Sequence, residues 1–167
     1  MKKFVAGLVL GLLILPLGVF LYFASGSAPA ATADPPLPLE KPLAKMALRA
    51  KLRDARSLKS PITAEEAALV AGAKIYRDDC AVCHGLPNQS MAAIPKGMFP
   101  IPPQLFHGED MVTDDPVGTI HWKVANGIRL TGMPAFKGSL DDTQMWQVTL
   151  LLAHADKLPP AAQDALK

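Results

Sequence analysis

The pentapeptide Cys80-Ala81-Val82-Cys83-His84 constrains this chain more than any other feature, because it contains both cysteines of a 167-residue sequence. On a helical turn, residues three and four apart share a face, so two thiols and an imidazole converge on one side of the backbone. A disulfide across two intervening residues would be strained and would close a trivial loop. A redox dithiol normally follows a strand in a βαβ unit, and no alternating or β-branched run precedes Cys80. A structural zinc site needs a second pair of ligands at close spacing, whereas His107, His121 and His154 are scattered singly. The spacing suits one flat ligand. Two thiols add to the vinyl groups at one edge of a haem as thioethers, and His84 supplies the proximal iron ligand. The expected cofactor is therefore a single covalent haem c, attached at Cys80 and Cys83.

The amino terminus places this site outside the cytoplasm. Lys2 and Lys3 precede Phe4 to Ala24, a run of apolar residues, glycine and proline. At about 1.5 Å per residue it reaches roughly 30 Å, the hydrocarbon thickness of a bilayer. That length favours a retained anchor, since the apolar region of a cleaved signal is usually about 7 to 15 residues. Against this, Pro16 and the glycines weaken a long helix, and Ala24 to Ala31 offers small-residue triplets for a signal peptidase. With the lysines inside, the remainder lies on the outer, periplasmic side, either anchored in the cytoplasmic membrane or soluble after cleavage. Free thiols would oxidise there, and attachment to haem explains their survival.

Residues 1–62 carry nine Lys/Arg against three Asp/Glu, while 63–167 carry eight against twelve. The folded part is mildly acidic, which excludes nucleic acid as a partner. Ser25 to Pro42 is rich in Ala, Pro and Ser, and Pro35-Pro36-Leu37-Pro38 favours extended polyproline geometry, so a spacer is expected. Lys41 to Arg56 alternates apolar and basic residues, the pattern of a basic amphipathic helix. It reads as a lead-in helix resting on the domain, or as a surface for lipid headgroups or an acidic partner. The chain thus divides into an anchor or signal (1–25), a spacer with basic helix (26–62), a haem domain (63–158) and a tail (159–167).

Thr63-Ala64-Glu65-Glu66 has the form of a capping box, predicting a helix that starts at 63 and delivers the pentapeptide at its end. Asp115-Pro116 predicts a helix over 116–126 ended by Gly127, with Ile120 and Val124 on one face. Ser139 to Asp142 opens a last helix lined on one side by Trp146, Leu150 and Ala153, the side expected to meet Gly72 and Tyr76. Gly72-x-x-x-Tyr76-x-x-x-Cys80-x-x-Cys83-His84 resembles the amino-terminal helix of class I cytochromes c, and Asn126 to Phe136 is similar to that family's methionine loop. The likeness covers about residues 63–158. It implies an all-α fold, a small helical domain around one covalent haem, preceded here by the hydrophobic helix. It also implies that Gly72 lets the first helix approach the last closely, with Tyr76 packed at the crossing.

The sixth iron ligand must come from chain that has travelled round the ring, which makes Met91 poor and Met98 marginal. Met133 lies well beyond His84 between Gly132 and Pro134, which suit an irregular loop, and is the expected ligand. Bis-histidine ligation through His107, His121 or His154 is the competing arrangement. Pro100 to Pro103 is expected to offer a carbonyl to the other nitrogen of His84. Met145 is expected in the core. Trp122, Phe136 and Trp146 are the aromatics expected near haem, and Arg129 is a candidate for a propionate. With both axial positions filled by protein the chain is expected to be a non-enzyme, an electron carrier for redox partner proteins with no small-molecule substrate. The alternatives are the cytochrome subunit of a larger oxidase or dehydrogenase, and a sensor or peroxidase with an open distal position. So small a core should fold poorly without its haem.

Overall fold

The computed structural model describes residues 1–106 and 112–167, so His107 lies outside the described residues. Contacts divide the chain into two units, residues 1–41 and 42–167. In the first, α1 (Lys2–Ala24) is a single helix with Pro16 inside it and no buried side chain. It is long and apolar enough to cross a membrane. The spacer after it is not uniformly extended. Asp34 accepts from the amides of Ala30 and Ala31 at 2.9 Å each, and these two bonds hold its carboxyl below the usual carboxylate range. Such a local Asx-type turn competes with polyproline geometry wherever an aspartate lies a few residues away.

The second unit is all-helical among the described residues. α2 (Glu40–Ala55) leads into it, and its last residue, Ala55, is buried. α3 (Glu66–Ile75) continues through a π-turn (Tyr76–Cys80) into the short α4 (Ala81–His84). α5 (Ala93–Lys96), α6 (Val117–Asn126), α7 (Asp142–Ala153) and α8 (Pro160–Ala165) follow. The predicted cap of α3 does not form. Thr63 donates to the Glu65 carboxylate instead, and the cap position moves two residues on to Glu65, with Ile62 and Ala64 packed against the core. Asp115 does not cap α6 either; its carboxylate takes Lys123 at 2.6 Å, and the helix begins after Pro116. At α7 the sequence signal holds: Asp141 accepts from the Gln144 amide, and the Gln144 side chain accepts from the Asp141 amide.

α3 and α7 cross at Gly72. A Cβ there would run into the Gln147 carbonyl, so only glycine lets the backbones meet this closely. The face of α7 at the crossing is Gln147–Val148, whereas Trp146, expected there, turns toward α6 and stacks on His121 at 3.8 Å. Leu69 and Ala73 from α3, Tyr76 from the π-turn, Ile120 and Val124 from α6, and Met145, Val148 and Leu150–Leu152 from α7 form the core. The segment expected as a tail supplies α8, which buries Ala162 and Leu166 in the same cluster.

Candidate functional site

The site begins where α3 changes pitch. The π-turn inserts an extra residue per turn before Cys80, and α4 then carries Cys83 and His84 before Gly85, at φ +72°, ends it. Tyr76, fully buried, fixes this corner: its hydroxyl donates to the Gly85 carbonyl at 2.7 Å and its ring meets Phe106 edge-on at 5.0 Å. His84 Nδ1 donates to the Pro103 carbonyl at 2.7 Å, so the proline-rich stretch supplies the acceptor expected of it. A carbonyl can only accept, which places the proton on Nδ1 and leaves the Nε2 lone pair for a metal. Burial lowers the His84 pKa and outweighs the Pro103 carbonyl, which acts to raise it. Burial thus favours the neutral ring that a metal ligand requires.

Cys80 and Cys83 are not joined by a disulfide. Burial pushes Cys80 up to about 12, with Asp79 and Cys83 adding to the shift.

Cys80, Cys83 and His84 open into a cavity of about 270 Å³. The loop after α6 forms part of its wall. Gly127, at φ +64°, turns the chain out of the helix where a Cβ would strike Met133 and Pro134 backbone. The loop is then closed by its own hydrogen bonds: Ile128 N–H donates to the Met133 carbonyl at 3.2 Å, and Met133 N–H donates to Thr131 Oγ1 at 3.1 Å. Met133 thus sits in a fixed loop and lines the same cavity as His84.

Met98 is in that wall too, its Sδ 4.0 Å from Cys83 Sγ and its methyl over Gly132. Sequence separation from His84 undervalued it, because the Pro95–Pro103 segment folds back over α4. Phe136 lines the cavity, but Trp122 and Trp146 do not. Arg129 is exposed and outside the wall, whose lysine is Lys123. Lys123 comes from α6, and only the structure shows that it faces inward. His121 and His154 are outside the wall as well: His121 packs on Trp146, and His154 caps α7 through the Leu150 carbonyl. Met145 is buried in the core as expected.

The donor set fits a haem. Two cysteines, an imidazole and two thioethers, Met98 and Met133, line one cavity, and the rest of the lining is dominated by apolar side chains such as Ile120, Val124, Ile128 and Leu152. Residues 67–151 match the family described as cytochrome c oxidase, cbb3-type, subunit III. No curated protein and no solved structure matches the chain. The family match spans α3 through most of α7, the elements that build the cavity, and covers half of the sequence. The chain belongs to this family of c-type cytochromes, and its function is haem-based electron transfer.

Proposed function

We propose that this protein is a membrane-tethered carrier that passes single electrons between redox partners outside the cytoplasmic membrane, using one haem c held at Cys80 and Cys83 and ligated by His84 and Met133. The observation that carries the reading is that His84, its ring held by the Pro103 carbonyl, and Met133, its backbone amide held by Thr131, line one cavity from separate elements. The haem, when bound, supplies the one-electron chemistry. His84 presents Nε2 while the Pro103 carbonyl keeps Nδ1 protonated, and Lys123, steadied by Asp115, offers a cation to a propionate. If His84 and Met133 both hold the iron when haem is bound, these residues would leave no position on it for a substrate. The protein is then not an enzyme.

The test is the weak near-infrared band of methionine bound to ferric haem, recorded on the wild type, Met133→Ala and Met98→Leu. The band is expected in the wild type and in Met98→Leu and lost in Met133→Ala. Loss only in Met98→Leu would assign the sixth ligand to Met98, whose sulfur shares the cavity. No band in the wild type, with rapid carbon monoxide binding after reduction, would replace the carrier with an open-site sensor or peroxidase.

The family description favours a second reading, in which the same carrier is a fixed subunit of a terminal oxidase. Gentle detergent solubilisation and native electrophoresis separate the two. A subunit's haem c migrates with a large complex containing other haems, and a free carrier's migrates alone.

A further inference from the structure

We infer that α2 is an interfacial helix that lies on the surface of an anionic bilayer and sets the orientation of the haem domain to the membrane. One face of α2 is already used. Leu48, Leu52 and Ala55 follow one another at helical spacing and are at least half-buried. The helix end is seated on α6, where a Cβ at Gly118 would strike the Ala55 carbonyl and crowd Leu58. The carboxy-terminal end of α2 is thus held against an element that also lines the haem cavity.

A second apolar stripe points the other way. Leu43, Met46, Ala47 and Ala50 fall at i, i+3, i+4 and i+7, and all are exposed, Leu43 by 54% and Met46 by 62%. Arg49 and Arg53 flank it on one side and Lys51 on the other, Asp54 follows it one turn beyond Ala50, and Lys45 is on the opposite face. Among the described residues Lys45, Arg49, Lys51 and Arg53 make no ion pair. An exposed apolar stripe edged by cations is the pattern of a helix lying in the headgroup region, where side-chain burial and attraction to anionic lipid add. The rest of the folded domain, residues 63–167, carries more acid than base, so an anionic surface attracts α2 and repels the remainder.

Chain length favours lipid over a protein partner as the occupant. Residues 25–39 separate the end of α1 from the start of α2, and even fully extended they span no more than about 50 Å. If α1 stays in the bilayer, α2 is never far from headgroups, and its effective concentration there is high. The inference rests on the anchor reading for this point alone.

The experiment uses the full-length holoprotein in proteoliposomes, with an environment-sensitive fluorophore on Met46→Cys and, as control, on the exposed Lys157→Cys. In bilayers of phosphatidylcholine with phosphatidylglycerol, the label at position 46 is expected to shift to the blue and to be quenched by brominated acyl chains. Neither effect is expected at position 157. Both effects should disappear in pure phosphatidylcholine, in about 1 M salt where the Debye length falls to about 3 Å, and in a variant with Lys45, Arg49, Lys51 and Arg53 changed to Gln. An unchanged haem spectrum shows that this variant is folded. A label at 46 that stays in water on anionic bilayers overturns the inference, including when it shifts only after a protein partner or a second copy is added. So does an equal shift in both lipids. Co-flotation with vesicles in high salt reports the anchor separately, so loss of flotation sinks the anchor reading and a silent label sinks this one.

Discussion

At Gly72 a single hydrogen atom decides how closely two helices pack. A Cβ would meet the carbonyl oxygen and carbon of Gln147, with Val148 N at 3.1 Å, all of them backbone atoms of a regular helix that cannot rotate aside. Gly72→Ala should therefore separate α3 from α7 despite alanine's better helix propensity. Overpacking of this kind costs typically about 1–3 kcal/mol, read as a lower denaturant midpoint of the ferric holoprotein with little change in slope. A midpoint equal to or above wild type would show that propensity wins and that the crossing is not tight. The glycine was legible in the sequence through its place in the motif, four residues before Tyr76 and eight before Cys80. Met98 was not. Its importance comes from a fold-back that brings it to Cys83 and Gly132, and no local pattern encodes that contact.

Elements were legible to the extent that their ends are decided locally. The Asp141–Gln144 box is self-contained, and α7 starts where the sequence places it. Thr63 and Asp115 have equally good local chemistry, but Thr63 donates to Glu65, with Ile62 and Ala64 packed against the core, and Lys123, a turn and a half along α6, captures Asp115. The π-turn at Tyr76–Cys80 leaves no sequence mark, because a wide turn uses the same residue types as an α-turn. The interface between α6 and α7 was equally hidden. There His121 stacks on Trp146 at an interplanar angle of 13°, its side chain 12% exposed, with Asp142 Oδ1 3.5 Å from Nε2. Burial depresses the His121 pKa, and Asp142 only partly opposes this. The unfolded chain then binds the proton more readily, so stability is full above the unfolded pKa of about 6.5. It is lost as pH falls through the lower folded value. Stability of the holoprotein measured from about pH 7.5 down to about pH 5 should fall less steeply in His121→Gln than in the wild type. Parallel curves would mean that His121 does not titrate with folding.

For the molecule as a whole, the decisive contrast is between a helix with nothing to bury against and a domain with too little to bury. α1 leaves its entire apolar surface exposed, including Phe4, Leu12, Leu13, Leu15 and Phe20 at more than half of their full area. An apolar surface of this size does not persist in water, so either a bilayer covers it or a peptidase removes it. Its 23 residues span about 35 Å at 1.5 Å each, slightly more than the roughly 30 Å of hydrocarbon it must cross. A modest tilt absorbs the difference. Retention by an apolar span and retention by charge respond oppositely to washing, because salt and alkali weaken electrostatic attachment and leave hydrophobic insertion intact. Haem c absorbance is therefore expected to stay with the membrane pellet through washes in high salt and in alkaline carbonate, and to leave it only with detergent. Deleting residues 2–24 from a variant exported by a replacement signal should release the haem domain in soluble form, since no side chain of α1 is buried against anything. Haem c in the soluble periplasmic fraction of wild-type cells, on a chain whose amino terminus lies beyond Ala24, would instead identify α1 as a cleaved signal and the carrier as diffusible.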